Sequence, residues 1–276
     1  MPAPMSIRHV VAGEARIAVR EAGRGTPLLL LHGFPLDHAM WAGQEPLADR
    51  LRLVVPDQRG FGASTGPGPA SIEQLADDAA TVLDALRCEP AVVCGLSMGG
   101  YVAQHLAVRH PARVRALILA DTRLEADTPE ARASRVDLAS KAGRLGQRIV
   151  ADAMVPRLLA TSAEARAAGG RQGFEDLLHA SILRQPVATI QAALAALGAR
   201  PDMTEAMRRI RIPTLLVVGA EDAITPPSCM EAALRAMPLA RLLVVPLAGH
   251  MAPLEAADAF NREVLEFLGL VPGGPD

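Results

Sequence analysis

The feature that most constrains the fold is a series of short, continuously apolar runs separated by amphipathic stretches. Six such runs begin at Pro27, Leu51, Ala91, Val114, Ile212 and Ala240. A strand that is apolar along its whole length must be covered on both faces, which is typical of a parallel sheet between two layers of helices. The sequence therefore predicts an α/β fold with a mainly parallel sheet. Alternation about Gly13 predicts an antiparallel hairpin at the sheet edge.

One long segment, from about residue 122 to 209, contains no strand-like run. Helix signals follow one another there instead. Thr128 precedes Pro129 as a helix start, a capping box begins at Thr161, and a further helix ends at Gly198. We expect this segment to be entirely helical.

A helical insertion between two parallel strands lies over the carboxyl edge of the sheet, where open α/β sheets bind ligands. We therefore predict a core domain of residues 1–122 and 210–276. Residues 123–209 form a helical cap, or lid, inserted after the sixth strand. The alternative is that these helices only thicken the core.

Composition narrows the class of partner. The 276 residues are half apolar and carry a net charge of −2, which does not favour a nucleic-acid partner. Three cysteines, Cys88, Cys94 and Cys229, include no C-x-x-C pair, so neither a disulfide framework nor a zinc site is expected. The first residues lack the basic region, long apolar stretch and cleavage site of a signal peptide, and no apolar run has the length of a membrane span, so we expect neither element. We expect a cytoplasmic, soluble protein with no membrane partner and leave its oligomeric state open.

The stretch Gly95-Leu96-Ser97-Met98-Gly99 follows an apolar run and opens a helical pattern. As a bare pentapeptide, G-x-S-x-G is a weak signal, but between a strand and a helix it predicts a nucleophilic serine on a sharp turn. The flanking glycines let strand and helix approach without Cβ clashes. A serine hydroxyl needs a general base, so other residues must assist it.

The base must be one of seven histidines: His9, His32, His38, His105, His110, His179 and His250. His250 follows the last apolar run, in a loop expected at the carboxyl edge of the sheet, and is our candidate. His105 and His110 lie in or after the helix that follows the serine and are expected to be solvated or packing residues. His32 is expected to organise its loop.

The base needs a carboxylate that holds its tautomer. Asp222 lies in the loop after the run that ends at Gly219 and is our first candidate. Asp121, after another strand, is a second possibility, and Glu221 is expected to be a solvated surface charge. The chain order serine, acid, histidine fits this strand-turn-helix context.

Two backbone N–H groups must stabilise the oxyanion of a tetrahedral intermediate. Met98 supplies one at the start of its helix, and Phe34 supplies the other in the loop after the first apolar run. We expect Phe34, Trp41, Met98 and Met251 to line an apolar substrate pocket.

Together, the stretches "HGFPLDHAMW", "DQRGFGAS", "GLSMGGYVAQHLA", "GAEDAITPP" and "AGHMAPLE" resemble the α/β-hydrolase superfamily. The resemblance extends from the first hairpin to about Leu268 and is interrupted only by the helical segment, which corresponds to the variable cap. The resemblance implies Ser97, Asp222 and His250 as catalytic residues and Phe34 and Met98 as oxyanion donors. These are the residues that the chemical requirements above also select. The resemblance also implies that Asp57 and Arg59 organise the loop beside the pocket.

Within that superfamily the sequence is similar to 3-oxoadipate enol-lactonases, general carboxylesterases and the cofactor-free haloperoxidase or perhydrolase branch. Haloalkane dehalogenases and epoxide hydrolases carry an aspartate at the position of Ser97, so those reactions are disfavoured. We expect a small-molecule substrate and neither a cofactor nor a metal.

The leading hypothesis is hydrolysis of small, largely apolar esters or lactones through an acyl-enzyme. A rival is enol-lactone or C–C bond hydrolysis, which needs a contact for a substrate carboxylate; cap arginines such as Arg123, Arg132, Arg135 and Arg144 are candidates. A third hypothesis is a ligand receptor that keeps the fold without turnover.

Overall fold

The computed structural model describes residues 5–88, 90–167 and 170–269. Within these ranges, no helix combines the length and the apolar character needed to cross a membrane. Cys88 and Cys94 are buried and Cys229 is partly buried.

The described residues form one eight-stranded sheet with the order β1-β2-β4-β3-β5-β6-β7-β8. The strands are β1 (Ser6–Ala12), β2 (Ala15–Ala22), β3 (Pro27–Leu31), β4 (Arg52–Pro56), β5 (Ala91–Leu96), β6 (Val114–Ala120), β7 (Thr214–Gly219) and β8 (Ala240–Val245). β2 pairs antiparallel with β1 and with β4, and the other pairs are parallel. The predicted parallel sheet and edge hairpin are confirmed.

Helices cover both faces of the sheet. Those outside the long insertion are α1 (Ile72–Leu86), α2 (Met98–Arg109), α9 (Pro227–Ala236), α10 (Ala252–Glu255) and α11 (Ala257–Gly269), with 3₁₀ helices at His38–Asp49 and Pro111–Arg113. The side chains of β5 and β7 are buried along both strands because each lies between neighbours and under helices.

Between β6 and β7, the described part of the chain contains helices and no strand. It holds α3 (Pro129–Leu145), α4 (Arg148–Leu158), α5 (Ala163–Ala167), α6 (Arg171–Leu183), α7 (Val187–Ala199) and α8 (Thr204–Met207). α3 packs against α7, and α4 packs against α6. The insertion point after the sixth strand agrees with the sequence, while the division into core and cap remains our interpretation.

Two helix-end predictions need correction by one residue. The cap of α5 is Ser162, whose hydroxyl accepts a hydrogen bond from the Ala165 N–H, and not Thr161. α7 ends at Ala199 and not at Gly198. The predicted start at Thr128 is correct, since its hydroxyl accepts from the Ala131 N–H at 3.2 Å.

The topology determines where functional side chains meet. β3, β5, β6, β7 and β8 run parallel, so the loops that follow them emerge at one edge of the sheet. These loops carry Phe34, Ser97, Asp121, Asp222 and His250.

Candidate active site

Ser97 occupies a strained turn between β5 and α2. Its φ of +52° and ψ of −112° are unfavourable for a residue with a side chain. The turn is tight because a Cβ on Gly95 would lie 2.1 Å from the Gly99 carbonyl oxygen, and one on Gly99 would lie 2.1 Å from that of Leu31. The Ser97 N–H donates to the Ala120 carbonyl at 3.0 Å, which ties the turn to β6. The sequence of this stretch therefore permits a conformation that presents the hydroxyl at the helix N-terminus.

His250 and Asp222 form a buried hydrogen-bonded pair. The Nδ1 atom of His250 lies 2.8 Å from Oδ2 of Asp222. Because an ionised carboxylate only accepts hydrogen bonds, Nδ1 carries the proton, which leaves Nε2 free to act as a base. Burial alone would raise the pKa of Asp222, but the electrostatic interaction with His250 and the hydrogen bonds from His250 and Thr225 outweigh it and lower that pKa.

Thr225 is a member of this cluster that the sequence analysis did not identify. Its hydroxyl donates to Oδ2 of Asp222 at 2.6 Å and lies 3.2 Å from Nδ1 of His250. The N–H groups of Ile224 and Thr225 donate to the other oxygen, Oδ1, at 2.7 and 2.9 Å. Four donors therefore fix the orientation of the Asp222 carboxylate. The sequence signal was the short loop "DAIT", in which an aspartate accepts from N–H groups two and three residues further on.

The other two acidic candidates have different surroundings. Oδ1 of Asp121 accepts from the Gly219 N–H at 2.9 Å, and burial together with nearby Asp222 raises the pKa of this carboxyl group well above its ordinary value. The structure brings Asp222, and not Asp121, to His250. Glu221 is not the solvated charge we expected, because its carboxylate accepts hydrogen bonds from the N–H groups of Thr161 and Ser162 and anchors the start of α5.

The loop that carries Phe34 is held by His32. Nδ1 of His32 donates to the Gly33 carbonyl at 3.0 Å, and Nε2 accepts from the Gln58 N–H at 2.9 Å. Burial lowers the pKa of His32, which keeps the imidazole neutral in this arrangement. The structure thus gives His32 the contacts expected of a loop organiser, next to the N–H of Phe34.

A cavity of about 330 Å³ opens over these loops. Its wall includes Ser97, His250, Thr225 and Phe34 from the sheet edge. The rest of the lining is Tyr101, Arg123, Asp127, Ala131, Ser134, Arg135, Leu138, Met154, Arg157, Leu194, Leu197 and Ile224. Ser97 and His250 therefore face one space, although no hydrogen bond joins them among the described contacts. In structures without substrate, hydrogen bonds between catalytic groups are often long and tighten only in the substrate complex.

Three residues predicted to line the pocket do not line this cavity. Trp41 packs inward from its 3₁₀ helix against Phe260, with ring centroids 6.4 Å apart. The side chains of Met98 and Met251 are buried in the core. Of the four predicted pocket residues only Phe34 lines the cavity, and the other apolar lining comes mainly from the helical insertion.

Two of the four cap arginines named from the sequence, Arg123 and Arg135, line the cavity, and Arg132 and Arg144 do not. Arg157 lines it as well, although the sequence analysis did not single it out.

His105 lies near Glu73, and His110 contacts Asp77 at 2.7 Å, so neither histidine belongs to the site.

Asp57 and Arg59 support the loop after β4. Asp57 accepts hydrogen bonds from Arg20, from Ala63 and from both the backbone and the ring of His38. Burial alone would raise the pKa of Asp57, but the hydrogen bonds from His38 and Ala63 outweigh it, and the net shift is downward. Arg59 forms a buried ion pair with Asp78 at 2.6 Å. These contacts are those of structural residues.

Among the residues that the structure describes, one cluster has the ligand types of a metal site: Asp37, His38 and Asp57. Its carboxylates already pair with arginines, since Arg20 donates to Asp57 at 3.0 Å and Arg184 donates to Asp37 at 2.9 Å. These contacts satisfy the carboxylates, and we assign the cluster no ligand.

With the geometry established, comparison with known proteins identifies the family. The model of the alpha/beta hydrolase fold matches residues 26–257 of this chain. The chain therefore belongs to the α/β hydrolase family, as its motifs indicated. We therefore describe it as a hydrolase of the α/β fold.

Individual relatives agree with this assignment. A thermophilic esterase from Thermogutta terrifontis, solved with malate bound, is 38% identical with a TM-score of 0.89, and the match covers 97% of this chain and 98% of that one. The enol-lactonase from Burkholderia xenovorans is 28% identical with a TM-score of 0.86, over 95% and 100% of the two chains. The 3-oxoadipate enol-lactonase 2 of Acinetobacter baylyi is 31% identical over 232 residues, which is 82% of each chain.

Proposed function

We propose that this chain is a serine hydrolase that cleaves carboxylic esters or lactones of small molecules through an acyl-enzyme intermediate. One observation carries the proposal. His250 is hydrogen-bonded to Asp222 at 2.8 Å, and its imidazole faces the same cavity as the strained Ser97 turn. A nucleophile, a base and an orienting carboxylate at one cavity are the parts that acyl transfer needs.

The first half-reaction follows from these positions. Oγ of Ser97 attacks the carbonyl carbon of the substrate while Nε2 of His250 takes the hydroxyl proton. The backbone N–H groups of Met98 and Phe34 stabilise the oxyanion that develops. Collapse of the tetrahedral intermediate breaks the bond to the alcohol, which leaves with the proton from His250. The acyl group remains esterified to Ser97.

The second half-reaction releases the acid. His250 takes a proton from water as the water oxygen attacks the acyl carbon. The bond between this carbon and Oγ of Ser97 then breaks, and His250 returns the proton to Oγ as the acid leaves. Asp222 stabilises the imidazolium in both halves without itself becoming protonated. No step requires a metal or an organic cofactor.

Specific lactone hydrolysis, with negligible cleavage of open-chain esters, is the second candidate, because two of the similar proteins are enol-lactonases. The chemistry is the same except that the alcohol stays tethered to the acyl group. Kinetics with short p-nitrophenyl esters and with 3-oxoadipate enol-lactone separate the two. Efficient ester cleavage supports the esterase, and turnover of the lactone with negligible ester cleavage supports the lactonase.

Ser97→Ala tests the shared mechanism. We expect kcat to fall by a factor of about 10⁴ or more with the thermal melt unchanged, because the turn needs the hydroxyl for chemistry and not for packing. A Ser97→Ala protein that hydrolyses esters at the wild-type rate would refute the mechanism. Absence of any ester or lactone turnover in folded wild-type protein would favour a receptor on the same fold.

A further inference from the structure

The cavity that holds Ser97 carries an excess of positive charge. Its lining residues include three arginines and a single carboxylate, that of Asp127. The chain as a whole, in contrast, carries a net charge of −2. A cleft lined by one sign of charge concentrates ligands of the opposite sign. The local balance is therefore opposite to that of the whole protein.

The Asp127 carboxylate is already neutralised. It forms ion pairs with Arg135 and with the buried guanidinium of Arg200, the latter at 2.7 Å. Hydrogen bonds and charge from these arginines outweigh the burial of Asp127 and lower its pKa, so it stays ionised and paired. Asp127 is thus not available to balance the other two arginines of the cavity.

Those two arginines, Arg123 and Arg157, have no carboxylate partner among the residues that the structure describes. Nη2 of Arg123 donates to the Ile224 carbonyl at 2.6 Å and so also supports the loop beside Thr225. Arg157 lies on α4, is exposed, and makes no described hydrogen bond. A guanidinium binds a carboxylate through two parallel N–H···O bonds, and Arg157 has its donors available for this.

We infer that the substrate of this hydrolase is an ester or lactone that carries a carboxylate remote from the scissile bond, and that Arg157 binds this carboxylate. The inference rests on the proposed function and specifies its substrate class. The cavity volume of about 330 Å³ lies at the lower end of the range for small-molecule sites, so a short ester with a terminal carboxylate is a suitable probe. The apolar side chains of Leu138 and Met154 line the cavity and suit the apolar part of such an ester.

The test compares two substrates of equal shape and different charge. One is monoethyl adipate, and the other is the uncharged ester in which an isopropyl group replaces its carboxylate. The readout is the ratio of their kcat/KM values, charged over uncharged, measured by acid release at constant pH. We expect Arg157→Gln to lower this ratio by about tenfold, since the guanidinium is exposed and its hydrogen bonds are partly screened.

Matched variants separate binding from general effects. Arg148→Gln removes the same charge from the same helix, at an exposed residue that does not line the cavity, and should keep the wild-type ratio. Arg157→Lys keeps the charge without the planar fork and should give an intermediate ratio. Added salt should lower the wild-type ratio more than that of Arg157→Gln.

The outcomes are distinguishable. An unchanged ratio in Arg157→Gln, or an equal loss in Arg148→Gln, overturns the inference. Wild-type hydrolysis of the uncharged ester without hydrolysis of monoethyl adipate also overturns it and leaves the proposed function intact. If folded wild-type protein hydrolyses neither ester, nor p-nitrophenyl acetate, nor 3-oxoadipate enol-lactone, the proposed function fails and this inference fails with it.

Discussion

Replacing Asp222 by Asn should disable the base without disturbing the fold. In the wild type, Oδ1 of Asp222 accepts from two N–H groups, those of Ile224 and Thr225. In Asp222→Asn the amide oxygen keeps this position, because only an acceptor satisfies both donors. The amide NH₂ then takes the position of Oδ2, which lies 2.8 Å from Nδ1 of His250.

This swap changes the imidazole tautomer. Nδ1 of His250 now faces a donor and must accept, so the ring proton moves to Nε2. A protonated Nε2 cannot take the hydroxyl proton of Ser97. The corresponding change in serine proteases lowers kcat by about 10⁴, and we expect a loss of about 10³ to 10⁴ here, or roughly 4 to 5 kcal/mol of transition-state stabilisation.

The assay is kcat/KM with p-nitrophenyl acetate, with circular dichroism melts to verify folding. Asp121→Asn is the matched control, since it makes the same chemical change at a carboxyl group that hydrogen-bonds Gly219 and not His250. It should keep activity within about tenfold of the wild type. If Asp222→Asn retains more than about a tenth of wild-type kcat/KM, or if Asp121→Asn shows the large loss instead, the assignment of the acid is refuted.

Three further substitutions test the surroundings of the site. Thr225→Val removes the 2.6 Å hydrogen bond to Asp222, so we expect the pKa of that carboxyl group to rise. We also expect kcat to fall by about tenfold, and a pH–rate profile measures both effects. Gly99→Ala places a Cβ 2.1 Å from the Leu31 carbonyl oxygen, so it should cost about 3 kcal/mol or more in denaturant unfolding. Asp57→Asn should lower the free energy of unfolding by about 3 kcal/mol at neutral pH. Because the pKa of Asp57 is depressed in the folded state, its stabilisation is complete above its unfolded pKa of 3.8, and the difference from wild type should shrink as the pH falls below that value.

Each substitution has its own check. Thr225→Ser keeps the hydroxyl and should restore kcat, so loss in both variants would contradict the role of the hydrogen bond. Gly173 lies in α6, and a methyl group added there has no atom within 4 Å. Gly173→Ala should therefore raise the free energy of unfolding by about 0.5 to 1 kcal/mol. A Gly99→Ala protein as stable as Gly173→Ala would contradict the packing argument. A pH-independent difference for Asp57→Asn would contradict its ionised state.

The fold could be predicted from the sequence because its signals are local. Most of the continuously apolar runs form buried parallel strands, and only β8, at the edge of the sheet, is partly exposed. Parallel strands bring the loops after them to one edge. This reasoning predicted the order of strands and helices and placed candidate residues at that edge. It also led to Ser97, Asp222 and His250 from their loops alone.

The cavity wall could not be predicted in the same way. Trp41, Met98 and Met251 lie close to the motifs in sequence, but the direction of a side chain depends on tertiary packing, and theirs point into the core. Arg157 lines the cavity from a helix 60 residues beyond the serine turn, and no spacing rule connects the two. Glu221 binds an N–H group 59 residues away, at Ser162, which is likewise a long-range contact.

Labelling with a fluorophosphonate tests most directly whether Ser97 is an activated nucleophile. Intact-mass and peptide mass spectrometry should show one adduct on the wild-type chain, located at Ser97. Ser97→Ala should carry no adduct, and His250→Ala should react far more slowly. Folded wild-type protein that stays unlabelled, or that carries its adduct on another residue, would contradict the account.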